Sequence, residues 1–295
     1  MNLVRSAKIC VGPAFASLWR GRRRACRAVA SSVGGWAVLL GLGLIGPSRV
    51  RAATSLSATE VIQNAVARAQ HADTQARAGY TYTKLTLTEE IDAQGKVKER
   101  KQRVYQVLFQ GGSTCLKLVT VNGGRPDEAE VKKQSDNQMN ARHWFGQSKS
   151  GKGDSRENFL TTELVARYNF KLVGQELVNG RLAYQIAFEP RSPEGPEHRV
   201  LDRFFNRLSG TVWIDVQEFE IARAEVRLSS EVNLLWGAVG SLKKLAYTLT
   251  RTRVADGLWF NTFSSGDFQG RKLTDFLRIK TSSQSSNFRP LGLPS

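Results

Sequence analysis

Cysteine and histidine are scarce in this chain of 295 residues, with three of each. Cys10 and Cys26 lie within the first thirty residues, so Cys115 is the one thiol of the remainder. A lone thiol excludes an internal disulfide, a Cys-based zinc site and an iron–sulfur cluster there. His71, His143 and His198 stand far apart, with no His-x-x-x-His or Glu-x-x-His spacing, so no metal ligand set is read from them. Cys115 starts a strand pattern, where a small buried apolar role outweighs a nucleophilic one. Acidic residues are missing altogether from the first 52 positions. That segment takes nine of the 43 basic side chains and none of the 26 acids, which leaves the rest of the chain at +8. This mild excess does not make a nucleic-acid-binding pattern. Long apolar runs are missing too: Gly35–Gly46 spans 12 residues, well short of the roughly 20 a membrane-crossing helix needs.

What the first segment does have is an order. Arginines come first, then the short apolar run, then Val50-Arg51-Ala52. Basic, apolar and small-residue regions in that order predict a secretory signal over residues 1–52, cleaved after Ala52, and a periplasmic product. Neither Cys10 nor Cys26 follows the run, so no lipid attachment is expected. Gly41-x-Gly43-x-x-Gly46 matches a dinucleotide fingerprint only formally, having no strand before it and no βαβ unit around it. Gly146–Gly153 nearly matches a phosphate-binding loop but carries Gly153 where a hydroxyl should stand, and it follows a polar helix. The expectation is therefore no cofactor, no metal, no nucleic acid and no catalytic residue; acid pairs such as Glu89-Glu90 and Asp127-Glu128 read as solvated turns or helix starts.

The pattern of residues 53–295 reads as one β-rich domain. Ser57-Ala58-Thr59-Glu60 is a capping box, and Val61, Ile62, Ala65, Val66 and Ala69 follow at helical spacing, predicting a helix from Thr59 to Arg77. Alternating runs at Tyr80–Leu87, Val97–Phe109 and Cys115–Val121, each ending in Gly-rich turns, predict three strands. Pro126-Asp127-Glu128 opens a second helix, and Arg156–Tyr168 reads as a third. Strands then resume: Asn169–Leu177 and Arg181–Phe188 around Asn179-Gly180, then Thr211–Val216, Glu220–Leu228, Leu245–Val254, Leu258–Phe268 and Leu273–Thr281. One helix, three strands, two helices and about seven strands cannot make a parallel βαβ fold. An antiparallel sheet of about ten strands fits, and its twist should curl it into a half-barrel or barrel with the helices as cover.

The run YQVLFQGGSTCLKLVTVNGGRPDEAEVKK at Tyr105–Lys133, the segment LVGQELVNGRLAYQIAFEP at Leu172–Pro190 and GTVWIDVQEFEIARAEV at Gly210–Val226 carry a resemblance. In this order, after the leader and first helix, they resemble the periplasmic outer-membrane lipoprotein-sorting family, with its LolA/LolB-like fold. The resemblance covers about Ala78 to Asn287. It implies a curled antiparallel sheet, an incomplete barrel, with a helical lid over an apolar cavity for acyl chains, and a non-catalytic carrier.

Two groups of residues are candidates for contact. Tyr105, Val107 and Phe109 share one face of their strand, and Leu116 and Leu118 one face of the next; these five are candidates for lining a ligand cavity. Leu234, Leu235, Trp236, Val239 and Leu242, followed by Lys243 and Lys244, form an apolar stretch with adjacent cations, a candidate for contact with a membrane surface or an envelope protein. The function expected is binding or carriage of an acyl-bearing ligand, a lipid or lipoprotein. The alternative is an envelope sensor or scaffold that binds a protein with the same fold.

Overall fold

The computed structural model describes residues 56–71, 77–110, 113–145, 161–192, 200–234, 240–272 and 275–291. The predicted export segment and the Gly146–Asp154 loop lie outside them. Helix α1 is Ala58–Gln70. The Glu60 N–H donates to Ser57 Oγ (3.3 Å) and the Ser57 N–H to Glu60 Oε2 (2.7 Å), so the capping box forms as read. The helix ends at Gln70, where the His71 N–H turns back to the Ala67 and Arg68 carbonyls, short of the expected Arg77; residues 72–76 lie outside the described residues.

Strands β1 (Tyr80–Ile91), β2 (Val97–Gln110) and β3 (Ser113–Val121) form the expected meander. Helix α2 is Glu128–Phe145, and Asp127 Oδ1 accepts from the Glu130 N–H at 2.7 Å. The helix expected over Arg156–Tyr168 is corrected: among the described residues only α3, Thr162–Val165, is helical there. Tyr168 already begins β4 (Tyr168–Val178), paired to Pro190 of β5 (Arg181–Pro190). Cross-strand pairing and the buried Tyr168, whose hydroxyl donates to the Phe205 carbonyl at 2.7 Å, outweigh the weak helical stripe. Between β4 and β5 both Asn179 and Gly180 have positive φ, 51° and 77°, as a two-residue hairpin turn requires. After α4 (Val200–Phe205) come β6 (Leu208–Asp215), β7 (Ile221–Leu228), β8 (Val232–Leu234), β9 (Gly240–Ala255), β10 (Leu258–Lys272) and β11 (Asp275–Pro290).

All pairings are antiparallel, and the order is β3-β2-β1-β11-β10-β9-β7-β6-β5-β4, with β8 beside β9. The sheet is open, as expected, and has eleven strands. The last strand runs nine residues beyond the predicted Thr281. Its polar extension lies against threonine-rich β1, and Thr86 Oγ1 and Ser283 Oγ sit 2.9 Å apart, so backbone pairing and hydroxyl contacts hold a strand that hydrophobic alternation does not announce.

Candidate ligand-binding face

The register defines one face of this sheet from end to end. One row of cross-strand partners runs Leu172, Ile186, Val212, Ala224, Leu249, Ser264, Ser283, Thr86, Arg103 and Val121 through ten strands. A second, two residues along each strand, runs Phe170, Phe188, Gly210, Val226, Tyr247, Gly266, Thr281, Thr88 and Lys101. Partners in register and residues two apart point the same way, so both rows share a face.

Both long helices lie on that face, at opposite ends. Ala58, Val61, Ile62, Ala65 and Val66 of α1 pack on Tyr184, Ile186, Val212 and Ile214. Arg68 at the helix end donates to the Gly257 carbonyl (2.7 Å) and pairs with the buried Glu220 (3.2 Å), which Arg251 also holds at 2.7 Å. At the other end, Glu130 of α2 sits 2.7 Å from Lys101 Nζ and 3.5 Å from Arg103. The hydrogen bond from Lys101 holds the Glu130 carboxyl below its ordinary pKa, and the same bond raises that of Lys101. The Tyr105 hydroxyl reaches Gln134 at 3.4 Å, and burial pushes its pKa up.

The five cavity candidates converge. Tyr105 and Val107 are buried, and Phe109, Leu116 and Leu118 are half-buried, in one cluster with Tyr82, Phe260, Tyr80 and Phe288. Ring centroids of Tyr82 and Phe288 lie 4.9 Å apart, of Phe260 and Phe288 5.2 Å, and of Tyr82 and Phe109 6.3 Å, within the range of favourable aromatic contact. Tyr82, Phe260 and Phe288, on three further strands, were not singled out by the sequence, since only the register brings them together. Between this aromatic end and the α1 end, Val226, Tyr247, Leu249, Leu245, Phe268 and Ile279 occupy the same face and are half-buried. Beside them runs a line of small hydroxyls: Ser264, Ser283, Thr86, Thr281 and Thr88. The alternation Leu245-x-Tyr247-x-Leu249 was the one signal for this middle floor.

The opposite face is closed differently. Trp213 and Trp259 are buried with Val178, Ala183 and Ala222. Their indole N–H groups donate to Glu176 (2.8 Å) and Glu218 (2.7 Å), while Arg223 and Arg181 stack over the rings at 4.8 and 5.6 Å. Arg181 also grips the buried Asp215 through two bonds of 2.7 and 2.9 Å. Burial raises the Asp215 pKa, but Arg181 and the Glu218 and Gln217 N–H groups outweigh it and hold the carboxyl low. Among the described residues no group of three or more His, Cys, Asp or Glu could hold a metal.

Of the second group of candidates, Leu234 ends β8 and pairs with Gly240, Leu242 is half-buried in β9 opposite Val232, and Lys243 and Lys244 are exposed. The stretch is thus partly strand, not an uninterrupted loop; Leu235, Trp236 and Val239 lie outside the described residues.

No family model and no curated protein matches the chain. Solved structures do. A DUF1329 family protein from Desulfovibrio piger is 16% identical over 81% of this chain and 96% of its own, with a TM-score of 0.35. A LolA superfamily protein from Nitrosomonas europaea is 10% identical over 81% and 96%, at 0.30. MucB in the MucA/MucB complex of Pseudomonas aeruginosa is 10% identical over 79% and 99%, at 0.24.

Proposed function

We propose that the chain is an exported, non-catalytic binder or carrier of an acyl-bearing ligand in the cell envelope, with residues 1–52 as its leader and the helix-bearing face as its binding surface. The observation that supports this reading is the half-buried floor of Tyr247, Leu245, Leu249, Phe268 and Ile279, bounded by the aromatic cluster at one end and α1 at the other. Aliphatic and aromatic side chains suit an acyl chain. The adjoining hydroxyls of Ser264, Ser283 and Thr86 suit ester or hydroxyl groups of its head, and Tyr105, Val107, Phe109, Leu116 and Leu118 wall the far end. The alternative, a scaffold that binds a protein, is favoured by β4, which ends the sheet order and leaves Val173 56% and Leu177 67% exposed.

Native mass spectrometry with lipid extraction of protein purified from its own envelope tests the reading. An acyl-bearing species should copurify, and Tyr247→Glu with Phe268→Glu should lose it while the fold is kept. Protein that arrives empty and takes up no fluorescent fatty acid overturns it.

A further inference from the structure

We infer that the acyl-bearing ligand carries an oxyanion on its head, a carboxylate or a phosphate, and that Arg103 is the residue that selects it. The inference rests on the binding reading above and adds to it the class of ligand and the direction in which it lies.

The register supplies what no single strand shows. Along one row of the face the side chains run Leu249, Ser264, Ser283, Thr86 and Arg103, from β9 to β2. The next row repeats the order with Tyr247, Gly266, Thr281, Thr88 and Lys101. Each row crosses four strand spacings, roughly 19 Å at about 4.8 Å apiece. Polarity therefore rises in one direction: hydrocarbon on β9, small and hydroxylated residues on β10, β11 and β1, and cations on β2. An acyl amphiphile has the same order of groups, from its chain through ester or hydroxyl to a charged head.

The two cations at the head end are not equivalent. Lys101 is held between Glu130 at 2.7 Å and Glu99 at 3.4 Å. Arg103 meets the other oxygen of Glu130 at 3.5 Å, so among the described residues most of its five N–H donors have no close partner. Glu90, one row beyond on the same face, lies 3.4 Å from Lys98 and does not compete for Arg103. Lys84, opposite Tyr105, adds a third positive charge. These cations outweigh the half-buried Glu130, while Glu99 is 58% exposed and screened by water. The Arg103 side chain is 19% exposed, a setting in which its charge acts more strongly than in bulk water. Its cross-strand neighbour is Thr86, whose hydroxyl sits 2.9 Å from that of Ser283, so the guanidinium and the hydroxyls adjoin. A planar guanidinium fork matches paired oxygens of a carboxylate or phosphate.

The experiment is displacement of a neutral fluorescent acylglycerol by hexadecyl phosphate, palmitate, hexadecanol and hexadecylamine, which share a chain length and differ in the head. Phosphate or carboxylate should compete at least about tenfold better than alcohol or amine, the worth of one charge-assisted contact. Arg103→Gln should erase that preference, and Glu130→Gln, which removes the competing carboxylate, should widen it. Arg100→Gln, at a 65%-exposed position on the opposite face, should leave it unchanged. Equal competition by all four heads, or a preference kept in Arg103→Gln, overturns the inference and leaves the binding reading standing. Failure of the neutral probe and of every displacer to bind overturns both. Should Arg103→Gln unfold, the preference of the parent and its widening in Glu130→Gln decide the matter, and a preference that Glu130→Gln narrows overturns the inference.

Discussion

Two glycines in one cross-strand row should respond oppositely to the same substitution, and the difference probes the binding face. A Cβ on Gly210 would stand 1.9 Å from the Glu225 carbonyl oxygen. That oxygen belongs to the β6–β7 ladder, so relief requires the strands to part. Overpacking against backbone costs about 1–3 kcal/mol or more, and Gly210→Ala should lower stability by at least about 2 kcal/mol. A Cβ on Gly266 meets only the ring edge of Phe268, at 2.4 and 2.8 Å, with Thr281 Cγ2 at 3.3 Å. A ring end can turn aside. Pushing it off its rotamer costs about 0.5–1.5 kcal/mol, and removing a glycine from the unfolded chain returns about 0.4–1 kcal/mol. Gly266→Ala should therefore stay within about 1 kcal/mol of the parent while displacing Phe268 from the middle floor. Urea unfolding at constant m-value measures the first quantity, and displacement of a fluorescent fatty acid measures the second. Equal destabilisation by the two substitutions would refute the packing argument. Unchanged probe affinity in Gly266→Ala would refute Phe268 as part of the ligand floor.

Two further outcomes are expected. Burial pushes the Tyr168 phenol up to about 12 from its ordinary 10.0, so its stabilising contribution is whole below about pH 10 and is lost as pH rises through 12; the urea midpoint of Tyr168→Phe should fall less over that window than the parent's. Ending the chain after Thr281 removes the polar half of β11 from β1 and Phe288 from the aromatic cluster, so near-ultraviolet circular dichroism should lose the cluster's signal, and its retention would mean that this pairing does not hold the cluster.

The strands of the first meander and of the Asn179-Gly180 hairpin were legible because alternation and turn chemistry agree there. The capping box likewise marked the start of α1. The end of β11 was not legible. Thr281–Ser286 has no apolar alternation, and what orders it is a partner two hundred residues away in sequence, β1, whose threonines accept it. The end of the helix expected over Arg156–Tyr168 was over-read because Phe159, Leu160, Leu164 and Val165 at helical spacing suggest a stripe, while Tyr168 is committed to the sheet by its pairing and its buried hydroxyl. For the candidate face, the two-residue period placed Tyr105, Val107 and Phe109 together. It could not supply Tyr82, Phe260 or Phe288, because a period within one strand carries no information about which strands become neighbours.

The sheet order gives the face its division of labour. Strands β1–β3 join the rest of the sheet through the β1–β11 pairing, and the seam between them is built from Thr86, Ser283, Thr88 and Thr281 rather than from leucines. An apolar seam would need a permanent cover, since uncovering it exposes hydrocarbon at about 25 cal/mol per Å². Hydroxyls that pair with one another, as Thr86 and Ser283 do at 2.9 Å, tolerate water or a ligand's polar groups at little cost. Among the described residues of this face, the buried apolar clusters accordingly lie at the two ends, under α1 and around Tyr82, Val107 and Phe260, where they hold the frame. The middle, half-buried and partly hydroxyl-lined, is where the proposed ligand would sit without dismantling either end.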